Sequence, residues 1–94
     1  MSEKFLILGA GYVGARVARL ARSRGHGVVV SVRSAERAVV LREEGFEVLT
    51  GELDASLAER VDSSTHVTIA FPPDGVTDQR VAPALAGAAS ISYV

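Results

Sequence analysis

The stretch Phe5-Leu6-Ile7-Leu8-Gly9-Ala10-Gly11-Tyr12-Val13-Gly14 decides how this chain folds. Phe5 to Leu8 form a short apolar run that stops at a glycine, as a strand buried on both faces does when a turn bounds it. From Tyr12 the period changes. Val13, Val17 and Leu20 with Ala21 fall on one helical face, while Arg16, Arg19 and Arg22 to Arg24 fall mostly elsewhere. Gly25 then supplies a left-handed stop. The glycines thus span the junction of a strand and a helix, where unpaired backbone N–H groups can be aimed at a phosphate. In such a G-x-G-x-x-G run, Gly9 allows the tight turn and Gly11 lets the backbone approach the anion with no Cβ in the way. Gly14 lets the helix pack close to the sheet.

Working outward, Val28 to Val32 read as a second strand, and Ser34 can cap a helix running to about Glu44, where Gly45 marks its end. Phe46 to Thr50 read as strand three, Ala55 to Val61 as a short helix or turn, and His66 to Phe71 as strand four, ending at Pro72-Pro73. A weaker helix fits about Thr77 to Gly87, limited or bent by Pro83, and Ile91 to Val94 read as strand five. Strands alternating with helices at this spacing imply an α/β fold. The expectation is a Rossmann-like parallel sheet of order 3-2-1-4-5, flanked by helices. The chain stops inside an apolar segment, so residues 1–94 are expected to be one NAD(P)-binding domain, the N-terminal fragment of a longer protein. Its terminal strand is an edge through which copies could pair into a homo-oligomer.

The bulk composition agrees with one globular unit: 94 residues, 48% of them hydrophobic, are enough for a core. Ten basic against eleven acidic residues give a net charge of -1 with no basic block, which argues against nucleic-acid and membrane partners. The absence of cysteine removes disulfides, thiolate metal sites and cysteine nucleophiles. Met1-Ser2-Glu3-Lys4 leads into an apolar run too short for a signal peptide or a membrane span, so the expected location is cytoplasmic.

The glycine loop nominates Gly9, Gly11, Tyr12, Val13 and Gly14 for the pyrophosphate of a dinucleotide. At the end of strand two, NAD binding wants an Asp or Glu for the ribose hydroxyls. This chain has Val32-Arg33-Ser34 instead. A guanidinium at Arg33 and a hydroxyl at Ser34 suit the 2′-phosphate of NADP better than NAD, although a solvated surface arginine is the plainer alternative. Arg37, one turn along, could reinforce that charge or simply solvate the helix. After strand three, Glu52 could accept from the adenine amino group while Leu53 covers the ring, or the two could belong to a polar turn. Phe71 and Pro72 end strand four at the same edge and border the nicotinamide half, unless they merely terminate the strand. No metal site is expected, since no histidine completes the Glu52 and Asp54 carboxylates.

Together, Leu8-Gly9-Ala10-Gly11-Tyr12-Val13-Gly14, Arg24-Gly25-His26, Val32-Arg33-Ser34, Gly51-Glu52-Leu53 and Phe71-Pro72-Pro73 resemble the atypical or extended short-chain dehydrogenase/reductases, particularly the NAD-dependent epimerase/dehydratase-like members. The resemblance spans nearly the whole chain. It implies pyrophosphate binding at Gly9, Gly11 and Gly14, NADP selection by Arg33 and an adenine contact at Glu52, which departs from the more usual Asp. It also implies catalysis by a Tyr-x-x-x-Lys pair, in which lysine lowers the tyrosine pKa. This chain cannot supply that pair, because its sole lysine is Lys4 and no lysine follows Tyr93. No catalytic residue is therefore assigned. His26 and His66 fall at the amino edge of the sheet, and Ser90 and Ser92 lie in a strand with no base in view.

Three functions remain open on the sequence. The chain is the NADP-binding part of an oxidoreductase or nucleotide-sugar epimerase/dehydratase-like protein; or it is a regulatory nucleotide-sensing module; or it is a truncated scaffold that binds nothing well.

Overall fold

A computed structural model describes residues 3–9, 11–50, 55–70 and 82–93. In chain order it contains β1 (Lys4–Leu8), α1 (Tyr12–Ser23), β2 (Gly27–Val32), α2 (Ala35–Glu43), β3 (Glu47–Thr50), a 3₁₀ turn at Ala55–Arg60, β4 (Thr65–Ile69), a second 3₁₀ turn at Ala82–Leu85, and β5 (Ser90–Tyr93). The strands are all parallel and lie in the order β3-β2-β1-β4-β5. The expected order is the observed one.

Each inner strand feeds both faces of the sheet by simple alternation. On one face Ile7, Val30, Val32 and Val48 meet Ala15 and Ala18 of α1, Ala38 and Leu41 of α2, and Phe46. On the other, Leu6, Leu8, Val67 and Ile69 meet Leu57, Ala84 and Leu85 from the two 3₁₀ turns. Among the described residues, the α-helices thus pack on one face and the short turns on the other. Pro83 lies inside the second turn, and the described part of the helix expected at 77–87 is only that turn. Residues 77–81 lie outside the described residues.

The sheet-facing side of α1 matches the expected one in part. Val13 and Leu20 are 49% and 55% exposed, whereas Ala15, Ala18 and Ala21 are buried. Val17 packs at the margin of the core. Close approach to the sheet favours methyl side chains at the centre of the contact, and Val13 and Leu20 are turned outward. The expected stripe holds at Val17 and Ala21 and fails at Val13 and Leu20.

Both helices end in the same way. The N–H of His26 reaches Ala21 C=O at 3.2 Å and that of Gly25 reaches Arg22 C=O at 3.0 Å; in α2, Phe46 N–H reaches Leu41 C=O at 3.1 Å and Gly45 N–H reaches Arg42 C=O at 3.0 Å. These are paired Schellman closures, and at Gly25 the backbone adopts φ 84°, which a glycine accepts without strain. The two helix ends are tied together by Arg19, whose guanidinium grips both oxygens of Glu44 at 2.8 Å. The hydrogen bond from Arg19 holds the Glu44 carboxyl below its ordinary value. Arg22 adds its guanidinium 4.0 Å above the Phe46 ring. No helix among the described residues is long and apolar enough to cross a membrane.

Two outcomes follow from this packing. Leu41→Ala, at a side chain with no exposed surface, lowers the unfolding free energy by about 2–5 kcal/mol in urea titrations, whereas Leu20→Ala changes it by less than about 0.5 kcal/mol. At the start of β1, Lys4 Nζ lies 2.6 Å from Asp62 Oδ2. The Lys4 ammonium, followed by the Ser64 hydroxyl and N–H, holds the Asp62 carboxyl well below the usual carboxylate range. A carboxyl depressed in the folded state stabilises the fold above its unfolded value of about 3.9, and that contribution is lost as pH falls through the folded value. Asp62→Asn keeps an acceptor for Ser64 but not the charge. In thermal melts the gap between wild type and this variant is therefore constant from pH 7 down to about 5 and narrows below about pH 4.

Candidate functional site

All the strands end at one carboxyl edge, and the order β3-β2-β1-β4-β5 reverses direction between β1 and β4. In open α/β sheets a ligand crevice opens at that reversal. The glycine loop leaves β1 there. Gly9 takes φ 78°, a left-handed conformation that turns the chain sharply out of the strand. Its N–H donates to the Ser31 hydroxyl at 3.0 Å, and its carbonyl accepts from Gly11 N–H at 2.7 Å. Gly11 is the N-cap of α1, with no side-chain cap and no acidic residue in the first turn. The helix start therefore presents N–H groups and the positive end of its dipole, with no capping or acidic side chain in its own first turn.

The glycines differ in what surrounds them. A Cβ on Gly11 would meet nothing within 4 Å, so the loop borders open space at this point. A Cβ on Gly14 would stand 3.1 Å from the Gly9 carbonyl oxygen and 3.3 Å from both Ile7 Cγ2 and Ala70 Cβ. Gly14 is thus a packing glycine, while Gly11 leaves room for a ligand. Tyr12 contributes the first helical residue, and Val13, in the same first turn, is half exposed beside the loop.

Arg33 follows β2 directly, and Ser34 caps α2 by accepting from Arg37 N–H at 3.3 Å. Arg33 and Ser34 thus stand on the carboxyl edge beside the loop, as expected, with Ser34 already engaged in holding the helix start. Arg37 does more than the sequence suggested: its Nη2 lies 3.4 Å from the Gly11 carbonyl and links α2 to the glycine loop. Its signal was its place one turn past a capping serine. Glu52, Leu53, Phe71 and Pro72 lie outside the described residues.

Ser31 was missed. It is a lone hydroxyl in the run Val28-Val29-Val30-Ser31-Val32 and is 3% exposed, yet it holds Gly9. The signal was available, since a polar residue inside a strand buried on both faces requires a partner.

At the opposite, amino edge, Phe5 packs between the rings of His26 and His66, each centroid 5.1 Å away. His26 Nδ1 accepts from Glu3 N–H at 3.1 Å. One expectation is corrected here: Ser90 does have a base beside it, with its Oγ 2.7 Å from His66 Nδ1. The two residues are 24 apart in sequence and become register partners only when β4 pairs with β5. His66 Nε2 lies 2.5 Å from a Glu3 carboxylate oxygen, without the alignment of a hydrogen bond. Lys4 is also on this edge, paired with Asp62 and remote from the glycine loop. No group of three or more His, Cys, Asp or Glu suited to a metal ion occurs among the described residues.

Among solved structures, the NAD(P)-binding domain of an exopolyphosphatase-related protein from Archaeoglobus fulgidus superposes with a TM-score of 0.75 at 21% identity, covering 98% of this chain and 73% of that one. The fold is Rossmann-like. The structure of chuY from E. coli CFT073 superposes with a TM-score of 0.74 at 27% identity and covers 99% of this chain. This chain spans 47% of chuY. No protein-family profile and no curated protein sequence matches the chain.

The different surroundings of the two glycines give a direct test. Gly14→Val forces the helix off the sheet and lowers the unfolding free energy by about 3 kcal/mol. Gly11→Ala, facing open space, changes it by less than about 1 kcal/mol, as judged from denaturant midpoints at unchanged slope.

Proposed function

We propose that the chain binds a nicotinamide dinucleotide at its carboxyl edge, NADP in preference to NAD, as the cofactor domain of an oxidoreductase or nucleotide-sugar epimerase/dehydratase-like protein. The observation that carries the reading is the uncapped start of α1 behind Gly9 and Gly11, with open space at Gly11. A pyrophosphate there takes N–H hydrogen bonds and the favourable end of the helix dipole. The likeness to an NAD(P)-binding domain supports the same ligand class.

Arg33 supports the finer choice. It stands where NAD binding calls for a carboxylate, and a guanidinium matches the 2′-phosphate with paired N–H donors. Ser34 adds a hydroxyl, and Glu52 with Leu53 is assigned to adenine from the sequence. Phe71 and Pro72 are assigned to the nicotinamide side in the same way. Once bound, the cofactor supplies hydride transfer. The residues of this chain bind and orient it, and the sequence offers no Tyr-x-x-x-Lys pair, since its sole lysine is Lys4. Proton exchange and substrate recognition are assigned to a segment outside these 94 residues.

Calorimetric titration tests this. NADPH is expected to bind at least about tenfold tighter than NADH, a difference of about 1.4 kcal/mol, and Arg33→Asp is expected to reverse the order. At a hundredfold excess over Kd the preferred cofactor adds about 2.7 kcal/mol of stability. Folded chain whose melting temperature responds to neither dinucleotide would sink the reading.

A further inference from the structure

The buried hydroxyl of Ser31 is the one polar side chain on its stretch of β2, and its surroundings make it expensive to keep. Its register neighbours are Leu8 on β1 and Leu49 on β3, and the face it shares with them is lined by Leu6, Leu8, Val67 and Ile69. A hydroxyl taken into such a setting loses its water and must be repaid by a protein hydrogen bond. Ser31 finds that partner in the N–H of Gly9, the residue at which the chain leaves β1 and turns to φ 78°.

That bond begins a series. With its N–H held by Ser31, Gly9 sends its carbonyl, in the following peptide, to Gly11 N–H at 2.7 Å, and that carbonyl oxygen is one of the atoms against which Gly14 packs. The Gly11 carbonyl in turn accepts from Ala15 N–H at 3.0 Å and from Arg37 at 3.4 Å. The Gly9 N–H, the Gly9 carbonyl and the Gly11 carbonyl are thus each held by a hydrogen bond, the first by the Ser31 hydroxyl, while the Leu8 carbonyl, in the same peptide as the Gly9 N–H, accepts from Ala70 N–H at 2.8 Å. Valine, the residue that fills the rest of this strand, would pack against Leu8 and Leu49 equally well but would leave the Gly9 N–H without its acceptor.

We propose that Ser31 is a positioning residue for dinucleotide binding: with the Ala70 N–H it fixes the Leu8–Gly9 peptide, and so sets the turn that brings the N–H groups of the first turn of α1 to the pyrophosphate without touching the ligand. The proposal rests on the dinucleotide reading given above. It concerns the preorganisation of the loop, since N–H groups already fixed in direction need not be ordered when the ligand arrives.

The experiment uses the 94-residue chain and three variants: Ser31→Ala, Ser31→Thr and Val29→Ala. Val29→Ala removes apolar volume from the same strand and face with no bond to the loop. For each, amide exchange and chemical shifts of Gly9 and Gly11 are read by NMR without ligand, and NADPH is then titrated by calorimetry. Loss of one buried hydrogen bond corresponds to roughly a five- to tenfold effect. The expected result is that Ser31→Ala speeds exchange at Gly9 and weakens NADPH binding by about that factor. Ser31→Thr is expected to restore both within about threefold, because it keeps the hydroxyl. Val29→Ala lowers the melting temperature but leaves Kd and the Gly9 exchange rate alone.

Unchanged exchange at Gly9 in Ser31→Ala overturns the proposal, as does faster exchange with an unchanged Kd. A Ser31→Ala variant that loses affinity no more than Val29→Ala at equal loss of stability overturns it too, because the serine is then purely structural. Wild-type chain that gives no heat with NADPH or NADH removes the dinucleotide reading and this inference with it. That outcome is recognisable from the wild type alone, before any variant is compared.

Discussion

The close approach of α1 to the sheet at Gly14 is the constraint on which the rest of the structure depends. With the Gly9 carbonyl, Ile7 and Ala70 all within 3.1 to 3.3 Å of where a Cβ would stand, the helix can sit only where it does. Having come so close, it can face the sheet only with small side chains, so Ala15, Ala18 and Ala21 are buried while Val13 and Leu20 are displaced outward. The same approach brings the uncapped start of α1 over the end of β1. There its dipole adds to the N–H groups of its own first turn. Packing and ligand binding are thus two consequences of one short distance.

The two edges of the sheet are electrostatically unlike. At the amino edge charges are matched in pairs, Lys4 with Asp62, Arg60 with Glu47, and Glu3 beside His66. These pairs tie strand ends and loops to one another. At the carboxyl edge Arg33 follows β2, Glu36 lies in the first turn of α2 and Arg37 reaches Gly11. Surface ion pairs contribute little to stability one at a time, so the amino-edge set adds only modestly to holding the fold.

Much of the architecture was legible residue by residue. Phe5 to Leu8 and Val28 to Val32 are apolar runs bounded by turn residues, and each became a central strand within a residue of its expected limits. Ser34 capped a helix and Gly25 and Gly45 closed two, because these ends are settled by local hydrogen bonds that a few consecutive residues supply. The face of α1 was legible at Val17 and Ala21 but not at Val13 and Leu20, since it depends also on the distance between helix and sheet. The span 77–87 offered weak helical periodicity around a proline, and its described part is the short turn at Ala82–Leu85. Of the candidate site, Gly9, Gly11, Gly14, Arg33 and Ser34 were found by spacing and are brought to one edge. Ser31, the reach of Arg37 and the pairing of Ser90 with His66 were not, because each joins residues on different elements, 22, 26 and 24 positions apart.

By itself, then, the sequence determined where the chain turns and where its helices start and stop, along with the glycine spacing that suits a phosphate. Those are properties of neighbouring residues and their local hydrogen bonds. The tertiary structure alone decided which side of α1 is buried, which serine holds the loop and which charges share an edge. Those depend on how closely separate elements pack, and that distance is not written in any one segment.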